Sequence, residues 1–204
     1  MAEGKGLIQE KKNYHHGNLK GQLLEAVRHL VETKGADEFS IAEACRLAGV
    51  STAAPYKHFK DRHEILRGVV FLGMLRMRER MQEAADAHAA GTVARVAALG
   101  QSYIDFARAE PGLFRMMFSL TAGHQDDEEL SRMGDETLGI VVGVVADHLA
   151  IPLESEEAKL RAYALWCFVH GHSFLMLDDK LHGEKMVDEG QLLLIVGEGM
   201  LPRV

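Results

Sequence analysis

The chain has 204 residues, 47% of them apolar and 26% charged, enough to bury a substantial core as one compact unit or two closely joined subdomains. Its net charge of −7 excludes a uniformly basic protein that coats nucleic acid, and its 2 cysteines, far apart and without a CxxC pair, exclude a disulfide-stapled scaffold and point to reduced, buried thiols at Cys45 and Cys167. The longest apolar run, Ala162 to Leu177, is too short to cross a bilayer and is interrupted by His170 and His172; with no signal segment visible, the expected location is cytoplasmic, with no membrane partner.

The charge is unevenly spread. Residues 1 to 67 carry 11 Lys and Arg against 9 Asp and Glu, whereas the rest of the chain carries 12 against 21. A phosphate-binding head on an acidic body would have this asymmetry. Only 4 prolines, no Val/Ile/Thr alternation and many Ala, Leu, Met and Glu residues predict an all-α fold.

In chain order, residues 1 to 17 are polar, with Lys5, Lys11 and Lys12 ahead of Tyr14, His15 and His16, and read as a flexible basic arm. Leu19, Leu23, Val27 and Leu30 mark an amphipathic first helix ending near Lys34-Gly35. The segment Phe39 to Phe59 follows, and its spacing predicts two short helices about a tight Ala48-Gly49-Val50 turn. Ile41, Ala44, Cys45 and Ala48 share one face; Ser40 and Glu43 form a capping box; Ser51 or Thr52 caps the second helix, with Pro55 in its first turn. Tyr56, Lys57 and His58 then offer donors suited to phosphates and base edges.

Asp61 and Glu64 form another capping box, opening a long fourth helix with Leu66, Val70, Gly73, Met77 and Met81 on one stripe out to about Ala85. Beyond the small residues at 88 to 92, helices are expected over 93–109, 111–119, 127–150, 155–178 and 186–200. Pro111 sits at an N1 position, and acidic residues open the helices beginning near Asp126 and Ser155. Ala162 to Leu177 is apolar nearly all round, so it lies at the centre of the body or is shared with a second chain.

The series Phe39-Ser40-Ile41-Ala42, Ala48-Gly49-Val50-Ser51, Tyr56-Lys57-His58-Phe59 and Asp61-Arg62-His63-Glu64-Ile65-Leu66 resembles the DNA-binding domain of the TetR family of bacterial transcriptional regulators. Tyr14 to Leu19 and Trp166-x-x-x-His170-Gly171 resemble a branch with a Trp/His-Gly signature in its C-terminal domain. The resemblance implies a three-helix helix-turn-helix head over 18–66, joined by the long fourth helix to a ligand-binding and dimerisation body over 67–204. It implies DNA-facing positions at Ser40, Ser51, Thr52, Ala53, Tyr56, Lys57 and His58. Arg62 stands where the family usually has lysine and is likewise expected to bind DNA, as a cation able to hold a phosphate, and Pro55 replaces a commoner aliphatic residue. The implied partners are a near-palindromic double-stranded operator, a small-molecule effector, and a second copy of the chain bound through the last two helices. The two heads would then stand roughly 34 to 36 Å apart, or a multiple of that.

For the effector, Tyr103, Phe106, Phe114, Met117, Phe118, Trp166, His170 and Phe174 form an aromatic and methionine-rich set suited to an apolar or aromatic ligand, although the same residues at helical spacing also suit a plain core. Cys167 and His170 have an i, i+3 spacing but lack a third and fourth ligand, so no metal and no cofactor is expected. Gly-rich phosphate loops, GxSxG, HExxH and paired Glu-x-x-His motifs are missing from the sequence, and no enzyme is expected. The reading is a DNA-binding regulator, expected to be a repressor released by its ligand. The alternatives are a helical protein-binding adaptor and a metal-responsive regulator.

Overall fold

The computed structural model describes residues 19–119, 127–180 and 188–202, and the basic arm expected over 1–17 lies outside them. The described residues are helical, with no strand among them. Helix α1 (Leu19–Lys34) buries Leu23, Val27 and Leu30 and stops where Gly35, at φ 94°, donates its N–H to the Val31 carbonyl at 2.9 Å. Helix α2 (Ile41–Ala48) starts at Ser40, whose hydroxyl accepts the Glu43 amide at 3.2 Å, and closes on Gly49 in the left-handed region at φ 68°. Glu43 does not complete the expected capping box. Its carboxylate instead takes the Lys34 ammonium at 2.5 Å, tying the end of α1 to the start of α2.

The second helix of the pair is shorter than the sequence pattern predicts. Between Ser51 and Asp61 the chain forms turns and a single 3-10 turn, Pro55–Lys57, with no side-chain cap from Ser51 or Thr52. The cause is the placement of proline. Pro55 has no N–H to give, and Phe59 must return to the core, where it is 4% exposed, before Asp61 opens the next helix. One turn is all that fits. The Pro55 carbonyl accepts the His58 and Phe59 amides, both at 2.9 Å, and the proline ring is buried beneath the turn.

Helix α3 (Arg62–Asp86) begins at Asp61, whose carboxylate accepts the Glu64 amide at 2.8 Å; Glu64 in turn accepts the Lys60 amide at 2.6 Å. Its 25 residues span about 37 Å at 1.5 Å per residue. Ile65, Leu66 and Val69 pack toward α1, and Met77 and Met81 toward the body. The body follows with α4 (Val93–Ala109), α5 (Pro111–Ser119), α6 (Glu128–Leu149), α7 (Glu156–Leu177) and α8 (Glu189–Met200). Helix α4 is central to it, packing against α3, α5, α6, α7 and α8, while α7 leans on α6.

From Ala162 to Leu177, helix α7 is apolar nearly all round, but part of the helix's apolar surface is uncovered. Leu160, Tyr163, Cys167 and Leu175 are exposed at spacings that put them on one stripe, and Ile195 of α8 is 60% exposed. Cys45 is buried as expected; Cys167, expected to be buried, is not. No helix among the described residues is long and apolar enough to cross a membrane.

Candidate functional site

Two regions of the chain have features of a site. The first is the turn after α2. Ser51, Thr52, Ala53, Lys57 and His58 are exposed there, and Tyr56 is 62% exposed although it is an aromatic residue within three positions of the buried Phe59. The Lys57 ammonium has no ion-pair partner among the described residues. Burying Pro55 and Phe59 thus pushes the intervening Tyr56, Lys57 and His58 outward together. Ser40 is exposed at the start of α2, its hydroxyl engaged as the helix cap. Arg62 is turned inward: its guanidinium donates to the Ala36 carbonyl at 2.5 Å and stacks over the Phe39 ring at 4.5 Å, holding the α1–α2 loop against α3. On the opposite flank, Lys20 lies over the Phe59 ring at 5.5 Å.

The second region is a cavity of about 270 Å³ between α3, α4, α5, α6 and α7. Met74, Met77 and Met81 form its α3 wall, and Met117 and Phe118 its α5 wall; Leu138 and Val141 face it from α6, and Tyr103 and Trp166 from α4 and α7. A smaller space of about 40 Å³ shares Met81, Tyr103, Val141 and Trp166 with it. Thioether and aromatic walls of this kind adapt to apolar and aromatic shapes.

Behind Tyr103 and Phe118 lies an aromatic cluster built on His170. Its ring is 4.5 Å from Phe118, 4.9 Å from Phe174 and 5.7 Å from Trp166, centroid to centroid. Phe114 meets Tyr103 edge-on at 5.6 Å. The Tyr103 hydroxyl donates to His170 Nδ1 at 2.8 Å and accepts the more distant Trp166 indole N–H at 3.4 Å. Burial lowers the His170 pKa below the usual histidine value, favouring the neutral ring that this acceptor role needs, and burial raises that of Tyr103, which stays a phenol. The polar atoms deepest in the region are therefore already paired.

Helix α5 connects the cavity to α1. Its Met117 and Phe118 line the cavity, while its first amides are held by the head: Glu32 of α1 accepts the Gly112 N–H at 2.8 Å and the Leu113 N–H at 2.7 Å. A carboxylate at this position satisfies two amides that have no partner within α5 and complements the positive end of the helix dipole. The approach is close enough to require glycine, since a Cβ at Gly112 would lie 2.8 Å from the Val31 carbonyl oxygen. At the preceding corner, Glu110 is 6% exposed, with Arg76 at 2.8 Å, Arg28 at 3.4 Å and Arg80 at 3.6 Å. One buried carboxylate thus gathers cations from α1 and α3 at the α4–α5 junction.

Of the residues expected around an effector, Tyr103, Met117, Phe118 and Trp166 face the cavity. Phe114, His170 and Phe174 form the cluster behind it, and Phe106 is fully buried beneath Arg80, whose guanidinium lies 5.5 Å from its ring centroid. The sequence reading missed the α3 methionines as a wall and the whole contribution of α6. Met74, Met77 and Met81 recur at core spacing, which does not distinguish packing against protein from packing against a void. Among the described residues no group of three or more His, Cys, Asp or Glu side chains could hold a metal ion.

Comparison with known proteins places this architecture. Residues 96–193 match a family model described as tetracyclin repressor-like, C-terminal domain. A solved TetR-family transcriptional regulator from Streptomyces coelicolor superposes with a TM-score of 0.69 at 16% identity, covering 89% of this chain and 78% of that one. The chain has the fold of the TetR-family transcriptional regulators. A protein of unknown function from Rhodococcus sp. RHA1 is more similar, with a TM-score of 0.79, 26% identity and coverage of 94% and 97%. The nucleoid occlusion factor SlmA of Vibrio vulnificus is 30% identical over 123 residues, and that match spans 58% of each chain.

Proposed function

We propose that this protein is a homodimeric DNA-binding transcriptional regulator of the Trp/His-Gly branch, a repressor released from a near-palindromic operator when a small, largely apolar or aromatic ligand enters the cavity of about 270 Å³. The observation that carries this reading is α5: one end lines the cavity through Met117 and Phe118, and the other is capped by Glu32 of the head's first helix. A ligand that displaces Met117 or Phe118 moves a helix whose first turn is bonded to α1. The mechanism is a population shift in which the filled cavity favours a head position poorly matched to the DNA.

On this reading Tyr56, Lys57 and His58, with Ser51, Thr52 and Ala53 beside them, face the operator, and Lys57 contacts phosphate. Ser40 adds a backbone approach at the start of α2. Arg62 acts mainly by holding the head together. The second copy docks on the uncovered stripe of Leu160, Tyr163 and Leu175 with Ile195 of α8, because an apolar face of this extent is ordinarily covered in a water-soluble protein.

The test is a gel shift on DNA upstream of the protein's own gene, run across a salt series. Phosphate contacts give a steep negative dependence of affinity on salt. Lys57→Ala should weaken binding and flatten that dependence while leaving helicity unchanged. Absence of any specific shift refutes the regulator reading, and an unaltered Lys57→Ala protein removes that residue from the interface.

A further inference from the structure

The same cavity carries information about the charge of its occupant, an inference that rests on the effector reading above. Its lining among the described residues contains no Lys, Arg or His; besides the Tyr103 phenol, the one ionisable side chain in it is Asp135, an exposed residue of α6. The cations nearest in sequence and along the facing helix are already engaged. Arg78 pairs with Glu136, Arg132 lies 3.8 Å from the same carboxylate, and Arg67 holds both Asp127 and Glu129. Asp135 has no ion-pair partner among the described residues. His170, behind the Tyr103 wall, has its pKa lowered by burial and its Nδ1 engaged with the Tyr103 hydroxyl.

A carboxylate or phosphate ligand would therefore have to leave water without a compensating cation and meet a like charge at the entrance, both unfavourable. An ammonium would meet an unpaired carboxylate. At about 270 Å³ the space is not quite twice the roughly 150 Å³ that encloses one benzene ring, so two fused rings describe the bulk it takes. We propose that the effector cavity selects lipophilic amines: an apolar body of bicyclic size between the α3 methionines and Trp166, with its ammonium at Asp135.

Three probes sharing one body and differing in charge test this by calorimetry: 1-naphthylmethylamine, 1-naphthylmethanol and 1-naphthoate. The amine should bind about two- to fivefold more tightly than the alcohol, as expected of an exposed carboxylate partner, with the naphthoate weakest. Asp135→Asn should erase the difference between amine and alcohol and leave the alcohol's affinity in place; as an exposed position, it should not disturb folding. Val141→Phe, which fills the cavity, should remove binding of all three. Naphthoate binding as tightly as the amine, or an amine preference that persists in Asp135→Asn, overturns the proposal while leaving the cavity as an effector site. Binding that survives Val141→Phe, or no binding of any probe to the unmodified protein, overturns both.

Discussion

Removing the Glu32 carboxylate is the sharpest perturbation of the join between head and body. In Glu32→Ala the amides of Gly112 and Leu113 lose acceptors at 2.8 and 2.7 Å, in a place too tightly closed by Val31 for easy replacement by water. Hydrogen bonds to a charged group contribute about 1.5–3 kcal/mol each, and loss of a helix cap costs about 0.5–2 kcal/mol in total. Glu32 is half-buried, and its side chain regains rotamer freedom when released, so the lower range applies: about 2 kcal/mol for Ala, and about half that for Gln, which keeps an acceptor oxygen. For a chain of this length 1 kcal/mol moves the melting midpoint by about 2–4 °C, giving a drop of about 4–8 °C for Glu32→Ala. Calorimetric melting would measure it, with Thr33→Ala, one position along on an exposed part of α1, as the control. The functional corollary is that Glu32→Gln binds operator but releases it less completely when effector is added. A Glu32→Ala protein with the parent's melting midpoint and the parent's effector response would refute the role given to α5.

Other consequences follow from the same geometry. The Arg67 guanidinium, aided by the amides at the start of α6, lowers the Asp127 pKa to about 2. Because the folded-state pKa lies below the unfolded value, its contribution is present above about pH 4 and is lost as pH falls toward 2. Acid unfolding curves should show a loss of about 1 kcal/mol across that window, and Asp127→Asn should flatten it. Tyr103→Phe leaves His170 Nδ1 without its donor at 2.8 Å and should lower stability by about 1 kcal/mol in urea titrations. Leu160→Glu combined with Ile195→Glu should convert a dimer to a monomer in sedimentation while preserving the helical spectrum; a double variant that stays dimeric moves the interface elsewhere. Lys57→Ala should reduce the salt slope of operator binding by about 2 for a dimer making one phosphate contact per head.

Most helix positions were legible in the sequence because their signals are local. Ser40, Asp61 and Ser155 cap through their own side chains, Gly35 and Gly49 take the left-handed turns, and Pro111 opens α5. The turn at Pro55–Lys57 was misjudged, because its length depends on where Phe59 must be buried rather than on propensity alone. The aromatic positions were legible as a set, but their division between cavity wall and supporting cluster was not. That division depends on how α4, α5 and α7 are rotated against one another. Glu32 and Glu110 gave no signal at all. Glu32 looks like an ordinary charged position near the end of an amphipathic helix, and Glu110 precedes a proline; only their distant partners at Gly112, Leu113, Arg28 and Arg76 make them junction residues. The exposed side of Cys167 was hidden in an apolar run that offers no polar face from which to orient the helix.

A regulator of the proposed kind would read DNA and give it up when the cavity is filled. Selecting bound sequences from a random pool of duplexes, with and without 1-naphthylmethylamine, tests both halves at once. Enrichment is expected of a near-palindrome whose half-sites are about one helical turn apart, or a multiple, and that enrichment is lost with the amine present but not in the Val141→Phe protein. No enriched sequence from the unmodified protein would overturn the DNA-binding regulator.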